Sequence, residues 1–162
     1  MSEELLQNHP LASLGRQAVE NTDAAEPPEL PRFNEAIAQY SLNRSAKWED
    51  VLSLATVIAT KRQDLKVYGY LALSAFHSER ELEDGEPYLC LAAALTSLLD
   101  LVKLGWDRCL PRIPAKRQPL LMWMAQELVP AIQTRPPKPR EAQAFLCSQR
   151  VADELGSASG VA

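Results

Sequence analysis

The segment from Tyr88 to Val102 constrains this chain more than any other, because Tyr88, Leu91, Ala92, Leu95, Leu98, Leu99 and Val102 recur at the spacing of one helix face. Pro87 stands just before them, at a first-turn position where a helix tolerates a missing N–H. A helix is predicted here, ended or loosened at Gly105 and followed by Trp106, with Pro111 and Pro114 keeping the next connection irregular. Its longest apolar run, Tyr88 to Leu99, contains Thr96 and Ser97 and stops at Asp100, short of the roughly 20 residues of a membrane span.

Other helices follow by the same reasoning. Phe33, Ile37 and Tyr40 predict one over Phe33 to Leu42. Trp48, Val51, Leu52, Ala55, Ile58 and Ala59 predict a second, with Ser45 as its N-cap and Lys47, Glu49 and Asp50 off the apolar face. Asp64 can cap a third through Leu65, Tyr68, Leu71, Ala72, Ala75 and Phe76, whose wide apolar arc places it centrally. After the Tyr88 helix, a fifth is expected from Ala115 to Val129, stopped or kinked at Pro130, and a sixth from Glu141 to Leu155. Twelve prolines against six glycines, and few β-branched runs, favour helices parted by proline-marked loops over a sheet. The expectation is an all-α bundle of antiparallel hairpins with five to six main helices. At 162 residues and 46% hydrophobic, the chain suits one domain over 31–155. Residues 1–30 read as an acidic, proline-ended lead-in with a short amphipathic piece around Leu5 to Leu14, and 156–162 as a flexible tail.

The net charge of −4 is unevenly placed. Glu3, Glu4, Glu20, Asp23, Glu26 and Glu29 face a single base, Arg16, in the first thirty residues, and the remainder is nearly neutral. Nothing in that balance drives the chain toward nucleic acid. Cys90, Cys109 and Cys147 are odd in number and widely spaced, as for free thiols in a reducing compartment. The opening Ser2, Glu3, Glu4 does not resemble a secretory signal. A cytoplasmic location is expected, without direct membrane insertion.

Candidate chemistry is sparse. Three scattered cysteines and the separate His9 and His77 do not make a zinc set. His77-Ser78-Glu79 matches half of the zinc deaminase signature, but Cys90 stands alone where a C-x-x-C is required. The acidic run Glu79 to Glu86 places Gly85 one position late for a calcium loop, with Cys90 at the twelfth position. No nucleophile elbow, glycine-rich phosphate loop or activated cysteine is present. A non-catalytic chain without cofactor or metal is the expectation. Two charged regions remain as candidate partner contacts: the acidic loop Glu81, Glu83, Asp84 and Glu86, and the basic Arg108, Arg112, Lys116 and Arg117. Simple solvation of loops and a helix start is the plainer account of both. Trp48 and Trp123 sit within helical patterns and suit the core, while Trp106 suits packing across a helix connection.

The order of these features is informative: Trp48-Glu49-Asp50-Val51, then Arg62-Gln63-Asp64-Leu65, a leucine-rich helix, Trp106-Asp107 before Pro111, then Arg117 and Trp123. Over roughly Phe33 to Ile132 this resembles the ImpA-related N-terminal domain of type VI secretion TssA proteins. Arg62-Gln63 replaces the serine-lysine usual in that family. Glu83-Asp84-Gly85-Glu86 replaces a glycine-leucine, and the family's proline-glycine-glutamate-aspartate-like opening is missing, so the resemblance is to a divergent member or second copy. It implies a cytoplasmic scaffold that engages baseplate and tail tube-sheath proteins. The matched residues Trp48, Val51, Asp64, Leu65, Trp106, Asp107 and Trp123 would then be structural. Family proteins generally continue into a C-terminal oligomerising region, so the chain would correspond to part of such an architecture or to a shortened relative. Self-association through an exposed helix face is compatible with the pattern, although no sustained heptad seam demands it. The rival expectation is an unrelated helical adaptor.

Overall fold

In the computed structural model, residues 3–21, 26–43 and 46–159 are described. They form eight α-helices: α1 (Glu3–Gln7), α2 (Leu14–Glu20), α3 (Leu30–Asn43), α4 (Trp48–Ala59), α5 (Leu65–Arg80), α6 (Pro87–Gly105), α7 (Arg117–Thr134) and α8 (Ala142–Ser159). Short 3-10 turns lie at Pro10–Ser13, Trp106–Arg108, Pro114–Lys116 and Pro139–Glu141. Among the described residues there is no strand, only one isolated bridge between Asp64 and Leu110. The fold is all-α, with more helices than the apolar spacing predicts.

Helices α5 and α6 share the centre. Thirteen of the sixteen residues of α5 and fourteen of the nineteen of α6 are buried, as befits helices apolar on nearly every side. Asp64 caps α5 as expected, its carboxylate accepting from the Lys66 N–H at 3.0 Å. The Tyr68 hydroxyl donates to the Ala59 carbonyl at 2.6 Å and ties α5 back to the end of α4. Around α6 pack α1, the Pro10–Ser13 turn, α2, α5 and α8. Around α5 pack α4, α6 and α7, and α3 lies on α4. By composition and length Pro87–Arg108 would suffice for a membrane span, with a mean hydropathy of 1.6, contrary to the reading that stopped it at Asp100. Here 67% of its most apolar eighteen-residue stretch is buried inside the bundle, and Asp100 pairs with Arg16 at 3.7 Å.

Four boundaries differ from the sequence reading. Within the lead-in, Leu6, Leu11, Ala12, Leu14 and Ala18 are buried in the common core. A Cβ on Gly15 would stand 2.1 Å from the Ser97 carbonyl oxygen, so α2 crosses α6 at backbone contact and only glycine fits there. The Ser97 hydroxyl donates to the Leu11 carbonyl at the same crossing. Ser45, expected as an N-cap, lies outside the described residues; α4 starts at Trp48, and Lys47 in the cap position offers no side-chain acceptor. Helix α7 runs past Pro130 to Thr134, because Pro130 sits on the exposed side while Ala131 beyond it is buried. Helix α8 continues through Gly156 to Ser159, and residues 160–162 of the expected tail lie outside the described residues.

Candidate interaction surfaces

Part of the resemblance, Gln63, Asp64, Leu65, Trp106 and Arg117, lies at one end of the α5–α6 hairpin. The Leu110 N–H donates to the Gln63 carbonyl at 2.7 Å, and the Leu65 N–H donates to the Leu110 carbonyl at 2.9 Å. This bridge fixes the segment after α6 against the capped start of α5. Arg117 then closes the loop from inside: its Nε donates to the Pro111 carbonyl at 2.8 Å and its Nη2 to those of Cys109 at 3.0 Å and Arg112 at 3.4 Å. Its guanidinium carbon stands 4.9 Å from the centre of the Trp106 ring. Arg117 is only 3% exposed, so it leaves the candidate basic surface and becomes the clamp of the loop that carries it.

The other motif residues are also structural in placement. Trp48 stacks on His77 at 4.5 Å and meets the Tyr40 ring edge-on at 4.9 Å. Val51 and Leu65 are buried in the core. Trp123 lies 4.9 Å from Tyr70, with Gly69 giving it room: a Cβ there would sit 3.3 Å from the indole. Asp107 is exposed at the start of the loop.

Both charged regions reach the surface, at opposite ends of α6. Glu81, Glu83, Asp84 and Glu86 are exposed on the α5–α6 connection. That connection is shaped by the Glu79 carboxylate, which accepts from the Glu86 N–H at 2.9 Å, and by Gly85, where a Cβ would meet the Glu79 carbonyl at 1.9 Å. Arg140, from the proline-rich segment after α7, donates to the Glu83 carbonyl at 3.4 Å and pairs with Glu86 at 3.9 Å. The sequence gives no sign that these two stretches meet. Arg108, Arg112 and Lys116 are exposed at the far end, about 28 Å away along the nineteen residues of α6.

The groups best suited to chemistry are held in unreactive states. His9 Nδ1 accepts from the Leu11 N–H at 3.2 Å, which leaves Nε2 carrying the proton toward Cys90 Sγ at 3.5 Å. Burial, then Glu79 and Glu86, push the Cys90 thiol up to about 12, so this pair does not generate a thiolate near neutral pH. Cys109 is likewise pushed up to about 12 by burial, which the neighbouring Arg117 only partly offsets. His77 is lowered to about 4 by burial and then by Arg80, and its Nδ1 is buried without a hydrogen-bond partner. Among the described residues no group of three or more His, Cys, Asp or Glu side chains converges on a point that could hold a metal ion.

A larger feature is invisible in the sequence. Helices α7 and α8 dock on α5 and α6 respectively and leave between them a groove of about 860 Å³. Leu91 and Leu95 of α6 lie at its base, and Leu121, Met124, Leu128, Ile132 and Phe145 line its walls. A smaller polar recess of about 460 Å³ lies where Tyr40, His77, Arg80 and Glu127 meet, and there the Tyr40 hydroxyl donates to Glu127 at 2.9 Å. The one available signal for the groove was that α7 is apolar on too many sides for a surface helix.

Comparison with known proteins adds no name to this geometry: no family model, no curated protein and no solved structure matches the chain.

Proposed function

We propose that this chain is a non-catalytic assembly domain of a type VI secretion component, acting in the cytoplasm by engaging baseplate or tail tube-sheath proteins. The observation that supports the reading is one closed structural unit built around residues of the resemblance: Asp64 and Leu65 are bridged to Leu110 of the following loop, and Trp106 meets Arg117. Their role is to set the position of Arg108, Arg112 and Lys116 at one end of α6, while Glu81, Glu83, Asp84 and Glu86 occupy the other. A rigid body with opposite charges at its two ends suits a scaffold that orients one partner relative to another.

The test is affinity purification of the chain from cells that express the secretion baseplate, tube and sheath proteins, with mass spectrometry of what is retained. Specific recovery that survives moderate salt and falls on Arg112→Glu/Lys116→Glu substitution supports the reading. Recovery of none of these proteins by folded chain moves the assignment to a helical adaptor of another system.

A further inference from the structure

We propose that the face formed by α7 and α8 is a homodimer interface, with a second copy of this chain covering the groove between them. Three observations point to that occupant, independently of the secretion reading.

The first is charge. Among the described residues, Asp153 is the one ionisable side chain lining the groove. Helix α7 has only two charged residues in eighteen, Arg117 and Glu127. The first is buried in its clamp and the second faces the polar recess beside Tyr40, so the exposed length of α7 is electrically neutral. The middle of a protein interface is depleted of charge in this way, whereas a solvated helix face is normally charged.

The second is shape. Met122, Ala125 and Val129 are exposed along α7 at positions i, i+3 and i+7, and Met122 and Val129 are 50% and 52% exposed. Ala125 and Val129 also form the rim of the groove. One face therefore holds both an apolar ridge and the apolar trough beside it. A twofold dimer requires this of a single surface, because the ridge of each copy must enter the trough of the other.

The third is area. Helices α7 and α8 have eighteen residues each, so the face is about 27 Å long and about 20 Å wide in projection. That projection of about 540 Å² per partner just clears the roughly 1,000 Å² total of a weak specific interface. A single foreign helix in the trough would leave the Met122 ridge uncovered, and a second copy covers both.

Sedimentation velocity on the purified full chain over a range of concentrations tests the proposal. A concentration-dependent monomer–dimer equilibrium is expected. Ala125→Glu and Val129→Glu place a charge on exposed positions outside the core, and each should weaken the dimer at least about tenfold while circular dichroism stays helical. Ile113→Glu, on the exposed loop beyond α6, should leave the equilibrium unchanged. A chain that stays monomeric up to about 100 µM overturns the proposal. So does a dimer indifferent to both groove substitutions, or a groove that binds an apolar helix of another protein while the chain alone remains monomeric.

Discussion

Two proline-rich basic connections, Arg108–Arg117 before α7 and Arg135–Arg140 after it, look alike in sequence and are built on different physics. Each folds around one of its own arginines. Arg117 is held by the neutral carbonyls of Cys109, Pro111 and Arg112 and lies over Trp106. Arg135 is held by a carboxylate, that of Glu141, which also accepts from the Lys138 N–H at 3.0 Å and is only 1% exposed. The Tyr88 hydroxyl donates to the Arg135 carbonyl at 2.6 Å and carries this second connection onto α6. An arginine satisfied by carbonyls needs only geometry, whereas an arginine satisfied by a buried carboxylate also needs that carboxylate to stay ionised.

The sharpest break is expected from Glu141→Ala, which strands a largely buried guanidinium and should cost about 3 kcal/mol. A domain of this size would then melt about 6–12 °C lower in a calorimetric scan. Arg117→Ala leaves three carbonyls short of a donor and should cost about 2 kcal/mol in urea unfolding. Arg117→Lys recovers part of that, because an ammonium on a flexible stem cannot reproduce the planar fork. Full recovery of stability in Arg117→Lys would show that charge alone matters and would end the clamp argument.

Acid separates the two connections by sign. Burial pushes the Glu141 carboxyl up, but hydrogen bonds from Arg135 and Lys138, with the charges of Arg135 and Arg140, bring it below its usual 4.5. A carboxyl lowered in the fold stabilises fully above its ordinary value and loses that contribution as the pH falls through the folded value. The stability gap between the native chain and Glu141→Gln should therefore close on acidification from pH 5. The gap for Arg117→Ala, where no carboxylate is involved, should persist through the same range in parallel urea titrations. The smallest effect is expected at the surface: Arg140→Ala loses an exposed pair with Glu86 and should change stability by less than about 0.5 kcal/mol.

How much of this was legible follows from the range of the interactions. The Asp64 cap and the start of α6 at Pro87 involve neighbours a few residues apart, and the sequence displays them directly. The core place of Val51, with Trp48 half-buried against that core, followed from helical spacing. The N-terminal segment misled, because its acidic charge and closing prolines read as a lead-in while its apolar residues pack on distant α6. Gly15 is required where the backbone of α6 presses against α2. Arg117 misled because a basic run reads as solvated surface until the loop that encloses it is known.

By itself, the sequence determined the all-helical class and the central place of the Leu65–Arg80 helix, since periodicity is a local property. Tertiary structure alone decided the rest. It set which sides of the apolar α7 are covered and that the acidic loop meets Arg140. It also decided that Cys90 and His9, eighty-one residues apart, lie together in an unreactive state. Each of these depends on how helices cross, and a crossing is fixed by packing between distant segments, which spacing along one segment does not encode.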